Sequence, residues 1–192
     1  MLVVVLALTS IVTTDPPPAQ SETAVADQFS AVRALRHVRA VAQRPHAMGT
    51  AAHAEVRQYL VDTLKAHGLE AQLQEATLLT SGFLGIPSAA RVVNVVARLV
   101  GQEKGKAVLL VSHYDSVPQS LGASDDGCGI AAMLETLRAL RAGSPLRNDV
   151  ILLFTDGEEA GLLGARAFAE QHAWIDDIGV VLNFEARGTR GP

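Results

Sequence analysis

Cysteine is almost missing from this chain of 192 residues. Cys128 stands alone in the stretch Gly127-Cys128-Gly129-Ile130, so neither an internal disulfide nor a Cys/His zinc finger can be built, and it reads as a small apolar side chain. A surplus of basic charge is missing too. Lys and Arg number 16 against 20 Asp and Glu, for a net charge of -4, and the arginines are scattered along the chain. That leaves no electrostatic footprint for nucleic acid and no polybasic membrane patch. No apolar run reaches the roughly 18 residues that a spanning helix needs. The nearest approach is MLVVVLALTSIV at residues 1–12. Internal repeats and a second domain boundary are also absent.

What is there suffices for one globular α/β domain, which at this length buries roughly 70% of its unfolded surface. Residues 1–14 read as an apolar signal or anchor remnant, which points to an extracytoplasmic location, secreted or membrane-anchored through an N-terminal tether. Residues 15–28, with Pro16-Pro17-Pro18, read as a spacer. Residues 29–192 form the folded part. Phe29, Val32, Leu35, Val38 and Val41 recur at helical spacing up to Pro45. Thr50 can cap a second helix with Val56, Tyr59, Leu60 and Leu64 on one face, ending at Gly68.

From there the pattern changes to strands at 69–79 and 91–100, then to three short apolar runs, AVLLVS at 107–112, VILLF at 150–154 and IGVVLNF at 178–184. Runs of this kind fit central strands covered on both faces. Helical stretches at 130–140 and 162–172 separate them. Strand, helix, strand, helix, strand predicts a mostly parallel central sheet flanked by helices.

Each apolar run ends in groups that carry chemistry. Ser112-His113-Tyr114-Asp115 follows the first, Thr155-Asp156-Gly157-Glu158-Glu159 the second and Glu185 the third. In a parallel sheet the carboxyl ends of the strands share one edge, where open α/β folds bind ligands. Carboxylates crowded there repel one another unless a cation neutralises them. Imidazole and carboxylate suit zinc, and the surplus of ligands suits a metal pair.

At these residues the chain resembles the co-catalytic di-zinc aminopeptidases, metallopeptidase family twenty-eight. The resemblance lies in His113-Tyr114-Asp115-Ser116, Gly122-Ala123-Ser124-Asp125-Asp126-Gly127, Gly157-Glu158-Glu159-Ala160-Gly161 and Asn183-Phe184-Glu185-Ala186-Arg187-Gly188. With the Arg44-Pro45-His46 turn, it is similar to the endoplasmic-reticulum and vacuolar membrane branch, over roughly residues 29–192. It implies a zinc-exopeptidase-like fold of which residues 29–192 are the N-terminal portion. It also implies two zinc ions, with His113 and Glu185 on one, Glu159 on the other and Asp125 bridging. Glu158 is then the general base and Asp115 orients His113. The implied activity is aminopeptidase action on peptides.

The same resemblance implies a further ligand, a histidine beyond residue 192, so the chain is expected to be C-terminally incomplete, to hold its second zinc weakly and to turn over peptides poorly. Three other readings share the scaffold: a carboxypeptidase, a one-zinc glutaminyl cyclase, and a non-catalytic receptor-like ectodomain. His37, His53, His67 and His172 read as surface residues and His46 as structural. Tyr114 and Trp174 read equally as packing or as pocket lining.

Overall fold

The computed structural model describes residues 18–81 and 87–186, together with Val3. Most of the apolar run at the N-terminus and the Arg187-Gly188 end of the fourth motif lie outside these residues. Helices α1 (Ala31–Val41) and α2 (Ala51–Ala66) lead in. Strands β1 (Gln72–Ser81), β2 (Pro87–Leu99) and β3 (Ala107–His113) follow. Helix α3 (Gly127–Ala142), strand β4 (Val150–Thr155), helix α4 (Leu163–Gln171), a 3-10 turn (Ile175–Asp177) and strand β5 (Ile178–Asn183) complete the series.

The strands form one sheet in the order β1-β2-β4-β3-β5. Both β4 and β5 pair parallel to β3, as the alternation of apolar runs and helices predicts. β1 and β2 instead form an antiparallel ribbon that joins along β4. The sheet is therefore mixed, with its parallel part confined to the three strands whose ends carry the polar motifs.

β3 and β4 are buried because both of their faces are covered. Leu110, Leu152 and Phe154 pack with Leu60, Leu64, Ile130, Met133 and Leu137 of α2 and α3. The alternate residues Leu109, Val111, Ile151 and Leu153 pack with Phe168 of α4 on the other side. A strand buried on both faces has no polar positions to alternate, which explains the unbroken apolar runs. β5 differs from the expected central strand. It stands at the edge of the described sheet, with Val180, Val181 and Leu182 about half exposed.

Helix α1 also differs. Ser30 caps it by accepting from the Arg33 N–H at 3.3 Å. Its buried residues are Ala34 and Val41, whereas Phe29, Val32 and Leu35 are 40–43% exposed. The first three residues of the apolar series face outward, while Val38 is half-buried and Val41 reaches the core. Small Ala34 and Val41 make the inward side of the helix, and Val32 and Leu35 fall on the opposite side.

Candidate metal centre

The parallel register sets the first coordinates of the site. His113 ends β3 and lies beside Thr155, the end of β4, so the chain leaves both strands at the same level. Just past Thr155, Gly157 adopts φ +66, a left-handed conformation that a residue with a side chain rarely takes, and the backbone turns to present Glu158. Phe184 N–H donates to the Val111 carbonyl at 2.8 Å, which carries β5 on to Glu185 at the same rim. Asp125 comes from the loop before α3, whose cap is Asp126, and the Asp125–Asp126 peptide is cis.

These residues converge on the His113 ring. Its Nε2 lies 2.9 Å from Asp125 Oδ1, 3.8 Å from Glu185 Oε1 and 4.0 Å from Glu158 Oε2. One ligand atom from each of His113, Asp125 and Glu185 falls within 4.8 Å of the others, a set compatible with one cation. Glu159 is not in that set. Its side chain is exposed, and Asp125 and His113 are both among the charges it feels.

Asp115 underlies the arrangement. Its two carboxylate oxygens accept the Glu158 N–H at 3.0 Å and the Glu159 N–H at 3.1 Å. The Asp115 carbonyl lies 3.0 Å from His113 Nδ1, and its Oδ1 lies 3.5 Å from the same nitrogen. One buried side chain thus ties the imidazole to the Glu-Glu turn. Burial opposes its charge, but the His113 ring and the two N–H donors hold its carboxyl below the usual carboxylate range.

The electrostatics show how crowded the rim is. Burial alone would lower the His113 pKa, yet the carboxylates of Asp115, Asp126 and Asp125 push it up to about 10. Glu158 and Glu159 are both raised, first by burial and then by their acidic neighbours. Buried Asp126 is pushed up to about 6, although Ser112 Oγ donates to it at 2.6 Å and the Gly129 N–H at 3.0 Å. A divalent cation would relieve this repulsion, and the donor chemistry fits zinc. Beside Glu185 a groove of about 420 Å³ runs along Cys128, Gly129, Ala132 and Phe184. Cys128 is half-buried there, with its thiol donating to the Ser124 carbonyl at 2.8 Å.

Sequence reasoning missed a layer beneath the rim. His53 is not a surface residue: it is 2% exposed, with Nε2 3.1 Å from Asp156 Oδ1 and its ring stacked on Tyr114 at 4.5 Å. Asp156 also accepts the Val93 N–H at 2.7 Å, and its own N–H donates to Asn94 at 3.0 Å. The residue before the Gly157 turn is therefore fixed from α2 and β2 together. Tyr114 is fully buried packing, its hydroxyl donating to the Val93 carbonyl at 2.6 Å. His46 is structural, its backbone N–H bonded to Ser116 Oγ at 2.9 Å. Trp174 is partly buried against the α4 face of the sheet, with the Arg98 guanidinium over its ring at 5.3 Å.

A mixed sheet with helices on both faces and an imidazole-carboxylate cluster at the parallel strand ends defines a zinc-exopeptidase-like α/β domain. Residues 94–192 match Peptidase family M28, and the chain belongs to that family. A vacuolar membrane protease of Candida albicans is 35% identical over 152 residues, covering 79% of this chain and 18% of that protein. The chain thus spans less than a fifth of the length of that relative. Among solved structures, a Zn-dependent exopeptidase from Parabacteroides distasonis aligns with a TM-score of 0.64 at 26% identity, over 78% of this chain and 58% of that one. A glutaminyl cyclase from Porphyromonas gingivalis aligns with a TM-score of 0.62 at 28% identity, over 76% of this chain and 54% of that one.

Proposed function

We propose that this chain carries most of the active site of a zinc-dependent aminopeptidase, one that hydrolyses N-terminal peptide bonds in a membrane-associated or lumenal setting. The observation that carries the reading is the convergence of His113, Asp125 and Glu185 within 4.8 Å, with Glu158 4.0 Å from the same imidazole. His113 and Glu185 would hold one ion and Glu159 the other, with Asp125 contributing to both. Bound zinc supplies Lewis acidity that polarises the scissile carbonyl and acidifies water.

The remaining work belongs to the chain. Glu158, its carboxyl raised by burial, takes a proton from the attacking water at a side-chain oxygen and returns it to the departing amine nitrogen. Asp115 holds the His113 ring and the backbone of both glutamates in register. The test is Glu158→Gln in the full-length protein. Zinc content measured by mass spectrometry should be unchanged while hydrolysis of an aminoacyl anilide falls about 10²–10⁴-fold. Undiminished turnover would sink the assignment.

The similarity to a glutaminyl cyclase supports a second reading on the same scaffold. That reading calls for a single zinc and for cyclisation of N-terminal glutamine, so metal stoichiometry and product analysis separate the two.

A further inference from the structure

Asn94 interrupts the apolar run Val92-Val93-Asn94-Val95-Val96 of β2, yet its side chain is 0% exposed. An amide so deep in a strand must have partners, because a buried unpaired one is costly. The β2–β4 ladder ends at the pair Val95–Phe154, and beyond it side chains replace the backbone bonds. Asn94 Oδ1 accepts the Asp156 N–H at 3.0 Å, and Asp156 Oδ2 accepts the Val93 N–H at 2.7 Å. β4 meanwhile keeps its pairing with β3 as far as His113–Thr155. The exchange therefore releases β4 from β2 where the chain turns toward the rim.

The other end of the same amide holds the start of α4. Asn94 Nδ2 donates to the Gly164 carbonyl at 2.8 Å and to Gln74 Oε1 at 2.9 Å. The Gly164 N–H in turn donates to the Asp156 carbonyl at 2.7 Å, and the Leu163 N–H to that of Gly157 at 3.1 Å. The approach leaves no room for a side chain, since a Cβ on Gly164 would lie 2.3 Å from Asn94 Oδ1 and 2.5 Å from the Asp156 nitrogen. One carboxamide thus clips together the two ends of the loop 157–163, which carries Glu158 and Glu159. Asp115 holds the crest of that loop through the Glu158 and Glu159 N–H groups, and Asn94 holds its base.

We infer that Asn94 is a positioning residue for Glu158, an assignment that rests on the peptidase reading above. An apolar residue at 94 leaves the Asp156 N–H and the Gly164 carbonyl buried without that partner, and the two ends of the loop part. Glu158 then keeps its chemistry but loses its aim. A general base works only within hydrogen-bond reach of the proton it takes.

The test compares Asn94→Leu and Gly164→Ala in the full-length, zinc-loaded protein, so that the junction is opened from either side and one folded variant suffices. With zinc content by mass spectrometry equal to wild type, kcat for an aminoacyl anilide should fall about 10–100-fold while KM stays unchanged. Leu137→Ala, a truncation in the core between α2 and α3, controls for lost stability: it should lower Tm and leave kcat alone. Hydrogen exchange, read without substrate, should quicken across 156–164 in both junction variants and stay unchanged across β3. Wild-type kcat in either folded variant would overturn the inference, as would unchanged exchange across the loop or an equal loss of kcat in Leu137→Ala. Zinc lost in parallel with activity would overturn it too, by assigning Asn94 to metal retention. A wild-type protein that hydrolyses no anilide would instead sink the peptidase reading, and the inference with it.

Discussion

Asp115 shows how much a single side chain organises here. It ligates nothing in the proposed site, yet it touches the His113 ring and the backbone of both Glu158 and Glu159. Partners that orient metal ligands typically contribute 10–100-fold in metal affinity. Asp115→Asn keeps the shape but sets an amide N–H₂ against one of the two backbone donors. Zinc affinity measured by competition with a chromophoric chelator is expected to fall about 10–100-fold. The fold should lose roughly 1–3 kcal/mol for an unsatisfied buried donor, read by urea denaturation. An unchanged zinc affinity would remove Asp115 from the site. His53 illustrates a different kind of residue. Its burial was written in the spacing, since it lies three residues before Val56 and seven before Leu60 and so shares their inward face. Histidine's polarity concealed that, because its partner Asp156 is distant in sequence.

Among the elements, the lead-in helices hold the least legible feature. The strands of the core were readable because a strand covered on both faces must be apolar throughout. The strap formed by residues 20–28 was not, because its bonds run from the Arg33 and Arg138 side chains to the carbonyls of Glu22, Ala24, Ala26 and Gln28, which leave no residue pattern. Glu135 is its hinge pin. Burial pushes its pKa up, but Arg138, Arg33 and the Ser30 N–H outweigh that and lower it below the ordinary value. A carboxyl lowered by folding contributes stability that is complete above its unfolded pKa, about 4.5, and is lost as pH falls through its folded value. Glu135→Gln should therefore cost about 2–4 kcal/mol at pH 7, since it leaves two part-buried arginines uncompensated. It should also flatten the decline in stability below about pH 4.5. Hydrogen exchange at residues 20–28 should speed up in the same variant. Identical pH-stability curves for the two proteins would refute the role given to Glu135.

For the whole molecule, the rim is a concentration of like charge that the fold supports without a cation only at a cost. Zinc binding to the native state alone should stabilise it by about 2.7 kcal/mol at a hundredfold excess over Kd. For a chain of this length that corresponds to a rise in Tm of roughly 5–11 °C. Scanning calorimetry with zinc and with a chelator measures it, and a chelator-insensitive Tm would argue against a native metal site. The site was legible at this scale because parallel topology gathers strand ends on one edge, so motifs far apart in sequence met in space. The antiparallel ribbon of β1 and β2 was not foreseen as such, since alternation identifies a strand but not the direction of its neighbour.

The half-exposed β5 strand has a practical corollary. Among the described residues it is an outer strand whose Val180, Val181 and Leu182 are all open to solvent, with no lysine or proline to discourage pairing. Handled in isolation, the chain will be adhesive along that margin. Crowded in a refolding vessel or on a concentrator, molecules will tend to stack strand to strand, so the yield of monomer depends on keeping them dilute.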